Sequence, residues 1–118
     1  MLSVLFPPDQ AAAAGSYLTG ILQYPGFYGA TAAVKTEQTT AIQQWMAGDD
    51  PAGRQLGRIQ ARTLVADGTL DQLDPVPNDR LLARGIPRAL LLLYPDAGHA
   101  FLFQDAAQFV PAIERFVR

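Results

Sequence analysis

The stretch TLVADGTLDQLDPVPNDRLLARGIPRALLLLYPDAGHAFLF (63–103) decides how this chain folds. Its apolar starts, TLVA at 63–66 and LLLL at 90–93, are short and bounded by turn-forming residues, the pattern of strands. The leucine run shows no polar alternation, which suits a strand covered on both faces. Between the two, PVPNDRLLARG (75–85) has a proline start, a helical body and Gly85 at its end, so it reads as a helix. After the second strand, DAAQFVPAIERFVR (105–118) carries an apolar stripe through Phe109, Val110, Ile113, Phe116 and Val117. Pro111 interrupts it, and the expected solution is a loose turn with the regular helix starting near the proline.

Strand, helix, strand, helix is the alternation of a parallel α/β sheet. Strands over Thr63–Ala66 and Leu90–Leu93 would send both C-terminal ends to one edge, where such sheets bind ligands. Two acidic or basic loops meet there: ADGTLDQLDP with Asp67, Asp71 and Asp74, and PDAGHAFLF with Asp96 and His99, the single histidine. A carboxylate beside an imidazole fixes its tautomer and stabilises the imidazolium formed in proton transfer. Other uses of these residues stay open. Carboxylates after strands also cap turns, and the acidic loop has spacing tolerable for calcium or magnesium, without the EF-hand glycine and terminal glutamate. Gly68 and Gly98 each permit a tight turn directly after a strand.

The region before residue 59 differs. PPDQAAAAGSYLTGILQYPG (7–26) offers Asp9 as N-cap and a stripe through Ala14, Tyr17, Leu18, Ile21 and Leu22, weakened by Gly15 and Gly20 and ended by Pro25 and Gly26. A second helix is expected over Lys35–Ala47, with Val34, Ala41, Ile42 and Trp45 on one side and Gly48 as its C-terminal cap. Two strands are too few for a stable parallel sheet. Either another chain supplies neighbours, two copies join, or LSVLF (2–6) adds a third strand.

Composition narrows the classes. The 118 residues are 49% hydrophobic and 17% charged, with a formal net charge of −2, as expected of one folded domain and not of a disordered chain. No basic block suits a nucleic-acid backbone. Without cysteine and with one histidine, neither thiolate chemistry nor the common zinc ligand sets are available, so no metal and no cofactor is expected. The start MLSVLFPPD lacks the basic region and apolar length of a secretory signal, and no apolar run approaches the roughly 20 residues that span a bilayer. A cytoplasmic protein without membrane contact is the expectation.

The strand text followed by Asp, turn and Pro, then a strand and PDAGHAFLFQD, resembles the C-terminal end of an α/β-hydrolase. In that family the acid follows the penultimate core strand as G-x-x-D-x-x-x-P, matched by Gly68, Asp71 and Pro75. The base follows the last strand in a G-H segment, matched by Gly98 and His99. The order, acid then histidine, also agrees. Arg62–Thr63 departs from the family's usual proline before the strand. The resemblance covers about Ile59–Arg118 and implies a partial α/β-hydrolase fold: its last two parallel strands with flanking helices (59–118), preceded by a helical lid-like segment (1–58). It implies Asp71 and His99 as catalytic acid and base, with Asp74 as the rival to Asp71. It makes Tyr17, Tyr24, Phe27, Tyr28 and Trp45 candidates to line a small apolar acyl pocket in the lid.

The same family attacks with a nucleophile, usually serine, on a G-x-S-x-G turn. The serines here, Ser3 in MLSVLF and Ser16 in AAGSYLTG, have neither that setting nor the loop that builds an oxyanion hole. The resemblance therefore implies an acid/base-bearing portion of a serine hydrolase of ester or related acyl substrates, inactive alone. The partner would be a complementary N-terminal hydrolase portion, or a second copy covering the open sheet edge. The alternative is a non-catalytic, self-associating or protein-binding remnant.

Overall fold

The computed structural model describes residues 2–24, 29–49 and 53–118. Along the chain these form helix α1 (Leu2–Leu5), α2 (Ala11–Leu22), α3 (Ala32–Met46), a 3-10 turn (Gly53–Arg58), strand β1 (Leu64–Gly68), α4 (Val76–Gly85), β2 (Leu90–Tyr94), α5 (Phe101–Gln104) and α6 (Ala106–Val117). The strands pair in parallel, Leu64 opposite Leu90 through Gly68 opposite Tyr94. Two parallel strands flanked by helices are the α/β element that the alternation predicts, each strand reaching slightly further at its C-terminal end than the apolar run alone marks.

Side chains alternate across a strand, and each face of this sheet has its own cover. On one face Ala66, Leu92 and Tyr94 pack with Ala97, Phe101 and Phe109. Phe101 stacks on Tyr94 at 5.2 Å between ring centroids, and Phe109 meets both rings edge-on at 5.9 and 5.1 Å, geometries that aromatic quadrupoles favour. Further along, Arg62 lies over the Phe116 ring at 4.8 Å. On the other face α4 lies against the strands, facing Val65 and Asp67.

Three local expectations are corrected. LSVLF does not add a strand: Leu2–Leu5 is a helical turn, and among the described residues the sheet has two strands with both outer edges unpaired. Asp9 does not cap α2. The Gln10 N–H bonds to the Pro7 carbonyl at 2.9 Å, which closes a turn with Asp9 inside it and leaves Gln10 as the cap. Nor does a loose turn precede Pro111, because α6 runs through it from Ala106. A proline there forfeits a helical bond, a loss of about 3 kcal/mol. Phe109, two residues earlier and partly buried against Tyr94 and Phe101, holds that first part of the helix down.

In the first half, α2 runs through Gly15 and Gly20, and Pro25 and Gly26 lie outside the described residues. Helix α3 starts three residues earlier than expected because the Thr31 hydroxyl accepts from the Val34 N–H at 3.3 Å as an N-cap. Gly48 follows its end with φ of 86°, the left-handed conformation in which glycine is favoured. The apolar residues of α3 do not form a core. None of its residues is buried, and Val34, Ile42, Trp45 and Met46 are exposed. Among the described residues, no helix is long and apolar enough to cross a membrane.

Candidate active site

The loops after β1 and β2 are stitched together by backbone. The Thr69 N–H donates to the Tyr94 carbonyl at 2.9 Å, and Leu70 N–H to the Ala97 carbonyl at 2.8 Å. The Asp96 N–H donates to the Thr69 hydroxyl at 3.0 Å. Asp96 itself takes a φ of 59°, rare for a residue with a side chain, so the turn into the second loop is tight. Gly68 is where the two loops touch. A methyl group at its Cα would run into the carbonyl groups of Ala97 and Gly98, so only hydrogen fits. Gly98 is pressed from the other side: a Cβ there would lie 2.8 Å from the Leu5 carbonyl oxygen.

That last contact belongs to a feature not legible in the sequence. The segment Leu5–Pro7 lies across the histidine loop. The Ala100 N–H donates to the Leu5 carbonyl at 2.9 Å, and Phe6, 2% exposed, packs with Ala14 of α2 and Ala100. Tyr17 of α2 extends the contact to Phe103 of α5, 4.5 Å between centroids. The signal was a short apolar run ended by two prolines, and nothing in it specified a partner.

Within this frame Asp71 and His99 meet. Nδ1 of His99 lies 2.7 Å from Oδ2 of Asp71. The other carboxylate oxygen, Oδ1, accepts from the Leu73 N–H at 2.6 Å and the Asp74 N–H at 3.0 Å. Burial alone would push the Asp71 carboxyl up. The Asp74 amide, the His99 ring and the Leu73 amide outweigh it, holding the group below the ordinary carboxylate range and therefore ionised. An ionised carboxylate only accepts, so Nδ1 carries the proton that it donates, and in the neutral ring Nε2 holds the lone pair. Among the described residues Nε2 has no hydrogen-bond partner, and the His99 side chain is 45% exposed while that of Asp71 is fully covered. A buried acceptor behind and an open lone pair in front is the geometry of a general base.

The structure separates Asp71 from its rival. Asp74 points along α4, where its Oδ1 accepts from the Asn78 side-chain amide at 2.7 Å, the carboxylate-in-turn role open to it on sequence grounds. Asp96 contributes its backbone only to the loop junction. Of the aromatics expected to line an acyl pocket, Tyr17 and Tyr24 line a groove of about 320 Å³ with Ala13, Ile21 and Phe103. Trp45 is 61% exposed and outside that groove. Phe27 and Tyr28 lie outside the described residues. Ser16 is an exposed residue of α2, and Ser3 falls in the short α1 helix, so neither follows a strand.

Two further acids come as a surprise. Asp67 and Asp79 are buried, 5% and 4% exposed. Single oxygens of Asp67, Asp71 and His99's ring nitrogen lie within 4.8 Å of one another. Asp67, next to last in β1, lies on the α4 face and accepts from its neighbour, the Gly68 N–H, at 2.7 Å. Asp79 reaches it from the first turn of α4. Asp67 was visible only as one more loop acid, and Asp79 as a polar residue of an amphipathic helix. Their burial depends on how α4 docks.

The chain matches no family model. Over 63 residues it is 44% identical to the poly(3-hydroxyalkanoate) depolymerase of Ectopseudomonas oleovorans. The match takes in 53% of this chain and 22% of that protein, so the chain spans about a fifth of the length of the relative it resembles.

Proposed function

We propose that this chain carries the acid and the base of an α/β-hydrolase active site, and that it acts on esters when a complementary portion supplies the nucleophile. The hydrogen bond of 2.7 Å between Asp71 and His99, at the C-terminal edge of two parallel strands, carries the reading. The similarity to a depolymerase of a hydroxyalkanoate polymer supports an ester bond as the target. Residues 1–58 are the lid and 59–118 the end of the hydrolase core. The groove beside Tyr17, Tyr24 and Phe103 is apolar, as an acyl or alkyl chain requires.

Catalysis would run through Nε2 of His99. It takes the proton of the attacking serine as the new acyl bond forms, gives that proton to the departing alkoxide, and later deprotonates the water that releases the acid. Asp71 keeps the tautomer and stabilises the positive ring in each half. Oxyanion-hole donors belong to the complementary portion, because the described loops here direct their amides to Asp71 and to each other. The unpaired edges of β1 and β2 are where its strands would dock.

The decisive experiment mixes this chain with an N-terminal hydrolase portion bearing G-x-S-x-G and follows release of a chromophore from a short-chain ester. Turnover should require both chains, and H99A should lower it by about 10³-fold or more. Unchanged turnover in H99A would sink the assignment. Turnover absent from every such mixture, with a stable homodimer in sedimentation, would favour the alternative of a self-associating remnant.

A further inference from the structure

Asp67 and Asp79 are excess to the pair just described, and their surroundings are physically awkward. Each has one carboxyl oxygen, Oδ2, that is shut away from solvent and, among the described residues, receives no N–H or O–H donor. The charges that face them are all negative: Asp71 from the loop after β1 and Asp74 at the start of α4, while His99 from the loop after β2 is already engaged by Asp71. Two ionised carboxylates cannot be kept side by side under cover with no cation and no donor, since burial and mutual repulsion both disfavour charge. One proton supplies the missing donor. It lets one acid donate to the other, the arrangement by which paired carboxylates share a site.

We propose that Asp67 stands as a neutral carboxylic acid whose O–H, shared with Asp79, makes it a positioning residue for Asp71, so that the charge of the cluster facing His99 resides on Asp71. Asp67 is suited to this by its place. Its other oxygen is fixed by the Gly68 N–H, at the glycine where the two site loops touch. One of its oxygens also lies within 4.8 Å of an Asp71 oxygen and of a His99 ring nitrogen. Burial first, then the neighbouring Asp71 and Asp79 carboxylates, push the Asp67 carboxyl up to about 7 against the Gly68 amide, and Asp79 moves in the same direction. With Asp67 neutral, Asp71 is relieved of a repelling neighbour. The role given to Asp71 rests on the acid/base reading above, whereas the shared proton does not.

The test follows the side-chain carboxyl carbons of the full chain by ¹³C NMR as pH is raised, with D67N and D79N spectra providing assignments. The Asp67 carbon should keep the shift of a neutral acid through mildly acidic pH and titrate near 7. In D79N the new amide donates to Asp67, and the Asp67 midpoint should fall tenfold or more in proton affinity. The low-field Nδ1 proton of His99 reports on positioning. Its resonance should show a step as wild-type Asp67 ionises, and that step should be missing in D67N, which cannot ionise at this position. Midpoints for Asp67 and Asp79 both in the ordinary range near 4 would overturn the shared proton. A His99 signal with the same pH dependence in wild type and D67N would overturn the positioning role. An assembly without esterase turnover whose Asp67 still titrates near 7 would defeat the hydrolase reading and leave the shared proton standing.

Discussion

The two halves of this chain spend their apolar residues differently. After residue 59, Tyr94, Ala97 and Phe101 are nearly removed from water and hold one face of the sheet together, and the site loops grow from that block. Before it, α3 buries nothing and exposes Ile42, Trp45 and Met46, while α2 holds on through Ala14 and the Phe6–Tyr17–Phe103 aromatic contacts. A short side-chain pair such as Asp71–His99 needs its groups held to a fraction of an ångström, and it sits on the packed half. An exposed apolar helix suits a surface that shapes a pocket or meets a partner.

The contrast is sharpest at the aromatic cluster. Phe101→Ala removes a buried ring that both stacks on Tyr94 and meets Phe109 edge-on, and should cost about 3–5 kcal/mol, read as a fall in the urea midpoint. Because His99 lies two residues before Phe101, in the loop that leads into α5, its ring signals should broaden in the same variant. A loss under about 1 kcal/mol would mean that the two halves do not differ in packing as described.

Gly68→Ala probes the joint between the loops. Its methyl group would press on backbone carbonyls of Ala97 and Gly98, which cannot turn aside as a flexible side chain does. A destabilisation of about 3 kcal/mol is expected, with loss of the Nδ1 proton signal that marks the Asp71–His99 bond. Gly15→Ala on α2 meets no atom within 4 Å and should be neutral or stabilising by up to about 1 kcal/mol.

How much of this was legible follows from what kind of information each feature uses. The strands and their two polar loops are written locally, as an apolar run, a glycine and a polar residue; parallel strands ending at one edge bring the loops together, and the hydrolase resemblance picks Asp71 from the loop's acids. Of the three ways to complete the sheet, the strand at LSVLF drops out, and apolar content over five residues alone does not distinguish a strand from a helical turn. The docking of Leu5–Pro7 on the histidine loop, and the burial of Asp67 and Asp79, depend on tertiary contacts more than 60 residues apart in the first case and on the seating of α4 in the second. Pro111 is the converse: a strong local signal for a break, overridden by the apolar face around it.

Acid titration separates the site's carboxylates by sign. Asp71 is held below its ordinary value, so its stabilising contribution is complete above the unfolded value of 3.8 and is lost as pH falls through the folded one. Asp67 is raised, so the folded state holds a proton that the unfolded chain has released; that contribution is complete below 3.8 and is lost as pH rises toward about 7. Asp79 adds in the same sense as Asp67. Stability should therefore be greatest in mild acid just above 3.8 and decline toward 7, the reverse of the usual carboxylate trend. D67N should flatten the decline in urea midpoints between these limits, and a wild-type midpoint that climbs across the same range would contradict the burial of these acids.

The smallest expected effect is the one that tests the first half. Trp45→Ala removes the largest side chain of α3, yet the indole is 61% exposed and the helix has no buried residue, so the stability of the isolated chain should change by no more than about 0.5 kcal/mol. Large exposed aromatics at interfaces behave otherwise, since a ring that is desolvated only in a complex contributes only there. Measured again in the assembly that restores turnover, the same substitution should leave folding untouched and weaken association or raise KM. An equal, large loss of stability in the isolated chain would show that α3 is packed after all, and the division between a packed second half and an open first half would fall with it.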